Sequence, residues 1–105
     1  MSKQYYKEKL IKLVEKLFTH QGDAKSKFIE FEELIYDAYL SSKSSDVENA
    51  IRDKWDAIWQ ELNTKPELNS GNRVFSSVFI TVRSKRNKSL SKYLNFFIEE
   101  FYRVI

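Results

Sequence analysis

The 105 residues contain no cysteine, which excludes a disulfide framework, a thiolate zinc site and a cysteine nucleophile together. Histidine occurs once, as His20, so a transition-metal site or a nucleophile-histidine dyad has no second member to draw on. Proline occurs once, at Pro66, and glycine twice, at Gly22 and Gly71. That is too little turn punctuation for an all-β fold, and no glycine-rich phosphate loop can be built from two isolated glycines. Long apolar runs are also missing. The best candidate, Val74 to Val82, is interrupted by Ser76, Ser77 and Thr81 and falls short of the roughly 20 residues that span a bilayer. The N-terminal Met1-Ser2-Lys3-Gln4-Tyr5-Tyr6-Lys7 lacks the apolar core of an export leader. The expectation is a cytoplasmic protein with no membrane partner and no cofactor.

The last scarcity is acid. No Asp or Glu lies between Glu67 and Glu99, while Arg73, Arg83, Lys85, Arg86, Lys88 and Lys92 all fall in that interval. By segment, the formal charge is +3 over residues 1–22, −5 over 23–67 and +5 over 68–105. The net +3 therefore hides a strong polarisation, which bears on association rather than on fold.

What is present reads as helix. Leu10, Leu13, Val14, Leu17 and Phe18 recur at three- and four-residue spacing between charged residues, predicting a helix from Tyr5 to Thr19. Gly22 is expected to end it in a left-handed conformation, with His20 suited to the helix C-terminus and Asp23 capping the next helix. Phe28, Phe31, Leu34, Ile35, Ala38 and Tyr39 form a second stripe, ending in the serine-rich 41–45. Ser45-x-x-Glu48 has the form of a capping box before Val47, Ile51, Trp55, Ile58 and Leu62, a third helix reaching Asn63. Residues 64–72, which hold Pro66, Asn69, Ser70 and Gly71, read as the longest loop. Over 74–83 a helical spacing of Val74, Val78 and Val82 competes with a strand-like alternation; helix is preferred, because a lone strand has nothing to pair with. Leu90, Tyr93, Leu94, Phe97, Ile98, Phe101 and Tyr102 trace a last wide face, capped by Asn87 or Ser89. The prediction is an all-α fold, an antiparallel bundle of four to five helices, in one domain covering residues 1–105 and folding without metal.

Two charged groups are candidate contact sites. Arg73, Arg83, Lys85, Arg86, Lys88 and Lys92, interleaved with Ser and Asn, suit an anionic surface, either an acidic protein or a phosphate backbone. Glu30, Glu33 and Asp37 on the second helix, with Asp53 and Asp56 on the third, form an acidic face. In Glu30, Glu33, Asp53 and Asp56 the chain resembles the all-helical MazG-like nucleotide pyrophosphatases, although that family's second motif begins with Glu where this chain has Asp53. The resemblance implies Mg²⁺ held between two helices and hydrolysis of nucleoside triphosphates. Trp55 and Trp59, one helical turn apart, read as core, and only one of Phe96 and Phe97 fits the same stripe. The preferred reading is a non-enzymatic protein-binding module of the immunity, antitoxin or inhibitor type, from a microbe, phage or mobile element, with a protein partner. A nucleic-acid-associated protein using residues 73–92 is the alternative, and the pyrophosphatase is a second one.

Overall fold

In the structure, a computed structural model describing residues 3–105, six helices and one small hairpin form among the described residues. They are α1 (Lys3–Thr19), α2 (Ala24–Glu30), α3 (Glu32–Ser41), α4 (Asn49–Glu61), β1 (Leu68–Ser70), β2 (Arg73–Phe75), α5 (Ser77–Ser84) and α6 (Asn87–Val104). The leader reading at Met1 and Ser2 lies outside the described residues. The all-α class holds. The helix count rises to six because the second stripe divides at Phe31, whose φ of −110° and ψ of 26° leave helical geometry. No helix among the described residues is long and apolar enough to cross a membrane.

α1 packs against α3 and α6, α2 against α5 and α6, and α3 against α4. One apolar core joins Leu10, Leu13 and Leu17 of α1, Phe28 of α2, Ile35 of α3, Trp55 and Ile58 of α4, Val78 and Val82 of α5, and Leu90 and Phe97 of α6. Phe18 departs from its predicted stripe: it is exposed, with the Lys27 ammonium 5.1 Å from its ring centre.

Trp55 occupies the centre. Its ring stacks on Phe97 at 5.0 Å and meets Tyr6 and Phe96 edge-on. Trp59 instead lies half-buried, stacked on Tyr39 at 5.3 Å. Phe97 is fully buried, and Phe96 covers the edge of Trp55 from the periphery. A chain of hydrogen bonds runs through this region. Trp55 Nε1 donates to the Tyr6 hydroxyl at 2.9 Å, and that hydroxyl donates to Glu100 Oε1 at 2.7 Å. Arg103 Nε and Nη2 close on Glu100 at 2.8 and 2.9 Å. Burial, and next the hydrogen bond to Glu100, push the Tyr6 hydroxyl far above its ordinary pKa, so it remains a donor.

Several local expectations are corrected. Gly22 does not adopt a left-handed conformation; Gly71 is the only glycine with positive φ. Gly22 is required by crowding instead, since a Cβ there would lie 2.7 Å from Ser26 Cβ and 2.8 Å from His20 Nε2. His20 lies just past the end of α1, its ring edge-on to Phe31 at 5.4 Å. Asp23 does cap α2, accepting from the Ser26 amide at 2.9 Å. The Ser45–Glu48 capping box does not form: α4 starts at Asn49, and Glu48 precedes it without a side-chain cap. Burial of Val47 holds that residue in the linker, where its amide bonds the Ser44 carbonyl. Ser41 and Ser42 turn back onto the carbonyls of Ala38 and Tyr39. Neither Asn87 nor Ser89 caps α6, whose N-cap is Arg86. Asn87 serves α2 instead, accepting from the Lys25 amide at 3.0 Å and donating to Asp23 Oδ2 at 3.2 Å.

Tyr6→Phe keeps the ring but leaves the Trp55 N–H unpaired and removes one donor to Glu100. It is expected to cost about 1–3 kcal/mol, read as a lower urea midpoint with unchanged slope.

The Ser26 amide, with the Ser26 hydroxyl and the Asn87 amide, holds the Asp23 carboxyl below the usual carboxylate range. A depressed folded pKa contributes stability that is complete above the unfolded pKa of about 4 and is lost as pH falls through the folded value. The gap in melting temperature between the wild type and Asp23→Ala is therefore expected to be constant near neutral pH and to narrow in acid, measured by thermal melts across that range.

Candidate functional site

Residues 68–75, read as loop and helix from the sequence, form an antiparallel hairpin. Leu68 pairs with Phe75, Asn69 with Val74 and Ser70 with Arg73. Gly71 and Asn72 make the two-residue turn. Gly71 has φ of 60° and Asn72 does not have positive φ, the pattern of a type II′ turn, in which glycine is needed at the first position. Helix therefore begins at Ser77, and the expected helical continuity of Val74 with Val78 and Val82 is broken: Val78 and Val82 are buried while Val74 is 64% exposed.

The hairpin is held at its base. The Lys65 amide donates to Thr81 Oγ1 at 2.9 Å, and Ser77 Oγ donates to the Lys65 carbonyl at 2.6 Å. Ser76 caps α5 by accepting from the Phe79 amide at 3.0 Å, and its hydroxyl donates to Glu32 Oε1 at 2.7 Å. The strands are thus anchored between the start of α3 and α5.

Val74, Phe75 and Phe79 form a ridge that lines a groove on each side. The Phe75 and Phe79 rings stack at 5.3 Å. One groove, of about 590 Å³, carries Glu30, Glu32, Glu33 and Asp37, with Lys12 the one base. The other, of about 960 Å³, carries Arg73 and Arg83 beside Leu68 and Ile80 and contains no acid. Leu68 is 51% exposed. The Arg83 guanidinium lies 5.6 Å from the Phe79 ring centre. Neither arginine, nor Glu30, Glu33 or Asp37, forms an ion pair among the described residues.

The charged residues singled out from the sequence are thereby divided. Of the basic set, Arg73 on β2 and Arg83 on α5 share the basic groove. Lys85 and Arg86 make the two-residue connection between α5 and α6, and Lys88 is exposed in the first turn of α6. Lys92 is paired with Glu61 at 3.3 Å. That pair borders a third groove, of about 420 Å³, between α4 and α6. Tyr93 also borders it, and burial pushes the pKa of its hydroxyl up.

Of the acidic set, Glu30, Glu33 and Asp37 line the acidic groove, Asp53 is exposed on α4, and Asp56 is bonded to Lys43 at 3.1 Å. That bond lowers the Asp56 pKa. No group of three metal-ligating side chains comes together among the described residues, so Glu30, Glu33, Asp53 and Asp56 do not fit the Mg²⁺ that the pyrophosphatase resemblance implies. Compared with protein-family models, curated proteins and solved structures, the chain matches none.

Leu68, Val74, Phe75, Phe79 and Ile80 were not singled out as contact residues. The signal for the hairpin is the strand-like alternation within 74–83 together with Ser70-Gly71-Asn72, a tight-turn sequence; with 64–72 reading as loop, a strand over 74–83 has nothing to pair with.

An ion bound by the folded state raises the melting temperature. With no ligand cluster assembled, millimolar Mg²⁺ is expected to leave the thermal midpoint of this protein unchanged, as measured by differential scanning calorimetry.

Proposed function

We propose that this chain is a non-enzymatic protein-binding module, of the kind that holds or occludes a partner as immunity proteins, antitoxins and inhibitors do. Its contact face is the hairpin and α5 ridge. The observation that carries this reading is the exposure of Leu68 and Val74 on an anchored hairpin, beside Phe75, Phe79 and Ile80. Grouped apolar side chains of this kind, rimmed by charge, mark interaction surfaces more than isolated exposed residues do. Pinning at Lys65, Ser76 and Ser77 keeps the face ordered before contact, which limits the entropy lost on binding. Opposite charges along its borders supply orientation and a fast on-rate. A cytoplasmic setting in a microbe or phage belongs to the same proposal.

The test is capture of partners from the native host by the wild type and by a Leu68→Ser, Val74→Ser variant. Each side chain contributes roughly 1–2 kcal/mol when buried in a contact, so the double variant is expected to weaken binding by at least about tenfold. Its circular dichroism and melting temperature should barely change, because exposed positions contribute within about 0.5 kcal/mol each. Undiminished capture by the variant would move the contact elsewhere. Binding of random-sequence DNA or RNA that weakens steeply with salt would favour the nucleic-acid alternative. Mg²⁺-dependent hydrolysis of nucleoside triphosphates, abolished by Glu30→Gln and Glu33→Gln, would favour the enzyme.

A further inference from the structure

We infer that the ridge is self-complementary and that its occupant is a second copy of this chain, joined about a two-fold axis running along the ridge. The inference rests on the reading of this face as a protein contact and names the partner. In a two-fold contact the same patch is used on both sides, so whatever lies left of the axis on one copy meets what lies right of it on the other. Val74, Phe75 and Phe79 line both grooves and so mark the dividing line. On one side are Glu30, Glu33 and Asp37, which outnumber the single base Lys12, and on the other are Arg73 and Arg83 with no acid.

Folding two such faces together about that line sets acid against base twice while Val74 of each copy loses its contact with water. Few surfaces meet this condition. A face of one sign would repel its own copy, and a face whose charges balance on each side would gain nothing from the two-fold arrangement. None of these five charged side chains is satisfied by an ion pair among the described residues. The sheet contains only two strands, so the hairpin also has an outer edge on each strand, which natural proteins usually cover or blunt.

Sedimentation equilibrium of the full chain, at low and at high ionic strength, tests the inference. The expected result is a reversible dimer of twice 12.6 kDa, with a dissociation constant that rises at least about tenfold when salt screens the charges. Arg73→Glu with Arg83→Glu, and separately Glu30→Lys with Glu33→Lys, should each sediment as a monomer while keeping the wild-type circular dichroism. Mixed in equal amounts, these two variants should regain a dimer, because the acids introduced at 73 and 83 then face the bases introduced at 30 and 33, while Arg73 and Arg83 of one variant face Glu30, Glu33 and Asp37 of the other. A wild type that stays monomeric at high concentration overturns the inference. So does a dimer that either charge-reversed variant forms as well as the wild type, or a mixture that fails to associate while the wild type does. If the wild type is monomeric and Leu68→Ser with Val74→Ser still abolishes capture of a different protein, the dimer is wrong and the contact face stands. Loss of both removes the face itself.

Discussion

Glu100 is a carboxylate only 4% exposed, set in the last third of α6, and the arrangement of three helices follows from the need to satisfy it. A buried charge without partners costs several kcal/mol, so Tyr6 from α1 and Arg103 from α6 must both reach its oxygens. Tyr6 in turn accepts from Trp55 of α4. A one-turn slip of α1 along α6 would leave the carboxylate short of a donor and the tryptophan N–H without an acceptor. The surrounding apolar residues favour contact in many registers, whereas this hydrogen-bonded chain favours one. Arg103 remains part-exposed, so within this pair it is the carboxylate that is desolvated.

A second set of polar ties positions the candidate surface. Asn87 and Asp23 join the start of α6 to the start of α2, and Ser76 joins α5 to Glu32 at the start of α3. Lys65 joins the chain before the hairpin to α5. Of these side chains, the sequence suggests Asp23 and Asn87 for local capping. Together these ties hold a three-residue by three-residue hairpin, which would be marginal alone, against a rigid support. The apolar ridge is therefore presented in a fixed place.

The charge segregation along the sequence becomes a different segregation on the surface. The acidic middle third is divided between the groove at α2 and α3 and the Lys43-bonded Asp56 on α4. The basic third is divided among Arg73 and Arg83 at the ridge, Lys85, Arg86 and Lys88 at the α5 and α6 connection, and Lys92 in an exposed ion pair. An exposed pair such as Lys92 with Glu61 adds little to stability. Charges without such partners, as at the ridge, carry a field that an approaching surface meets first.

The sequence by itself determined the fold class and most of the core. Scarce glycine and proline with apolar residues at helical spacing leave little other than helices, and Leu10, Leu13, Leu17, Trp55, Leu90 and Phe97 are buried as their periodicity requires. Helix spacing is a local property, so it is readable from neighbours a turn apart. The acidic groove was legible in part, since Glu30, Glu33 and Asp37 share one helical region. Only the tertiary structure decided the rest. Whether 74–75 became strand depended on Leu68–Ser70 being free to pair; whether Asn87 capped its own helix or α2 depended on where Asp23 came to lie, 64 residues away. Whether Ser45 and Glu48 formed a cap depended on Val47 being drawn into the core. These are long-range competitions for the same hydrogen-bonding groups, and local spacing does not contain their outcome.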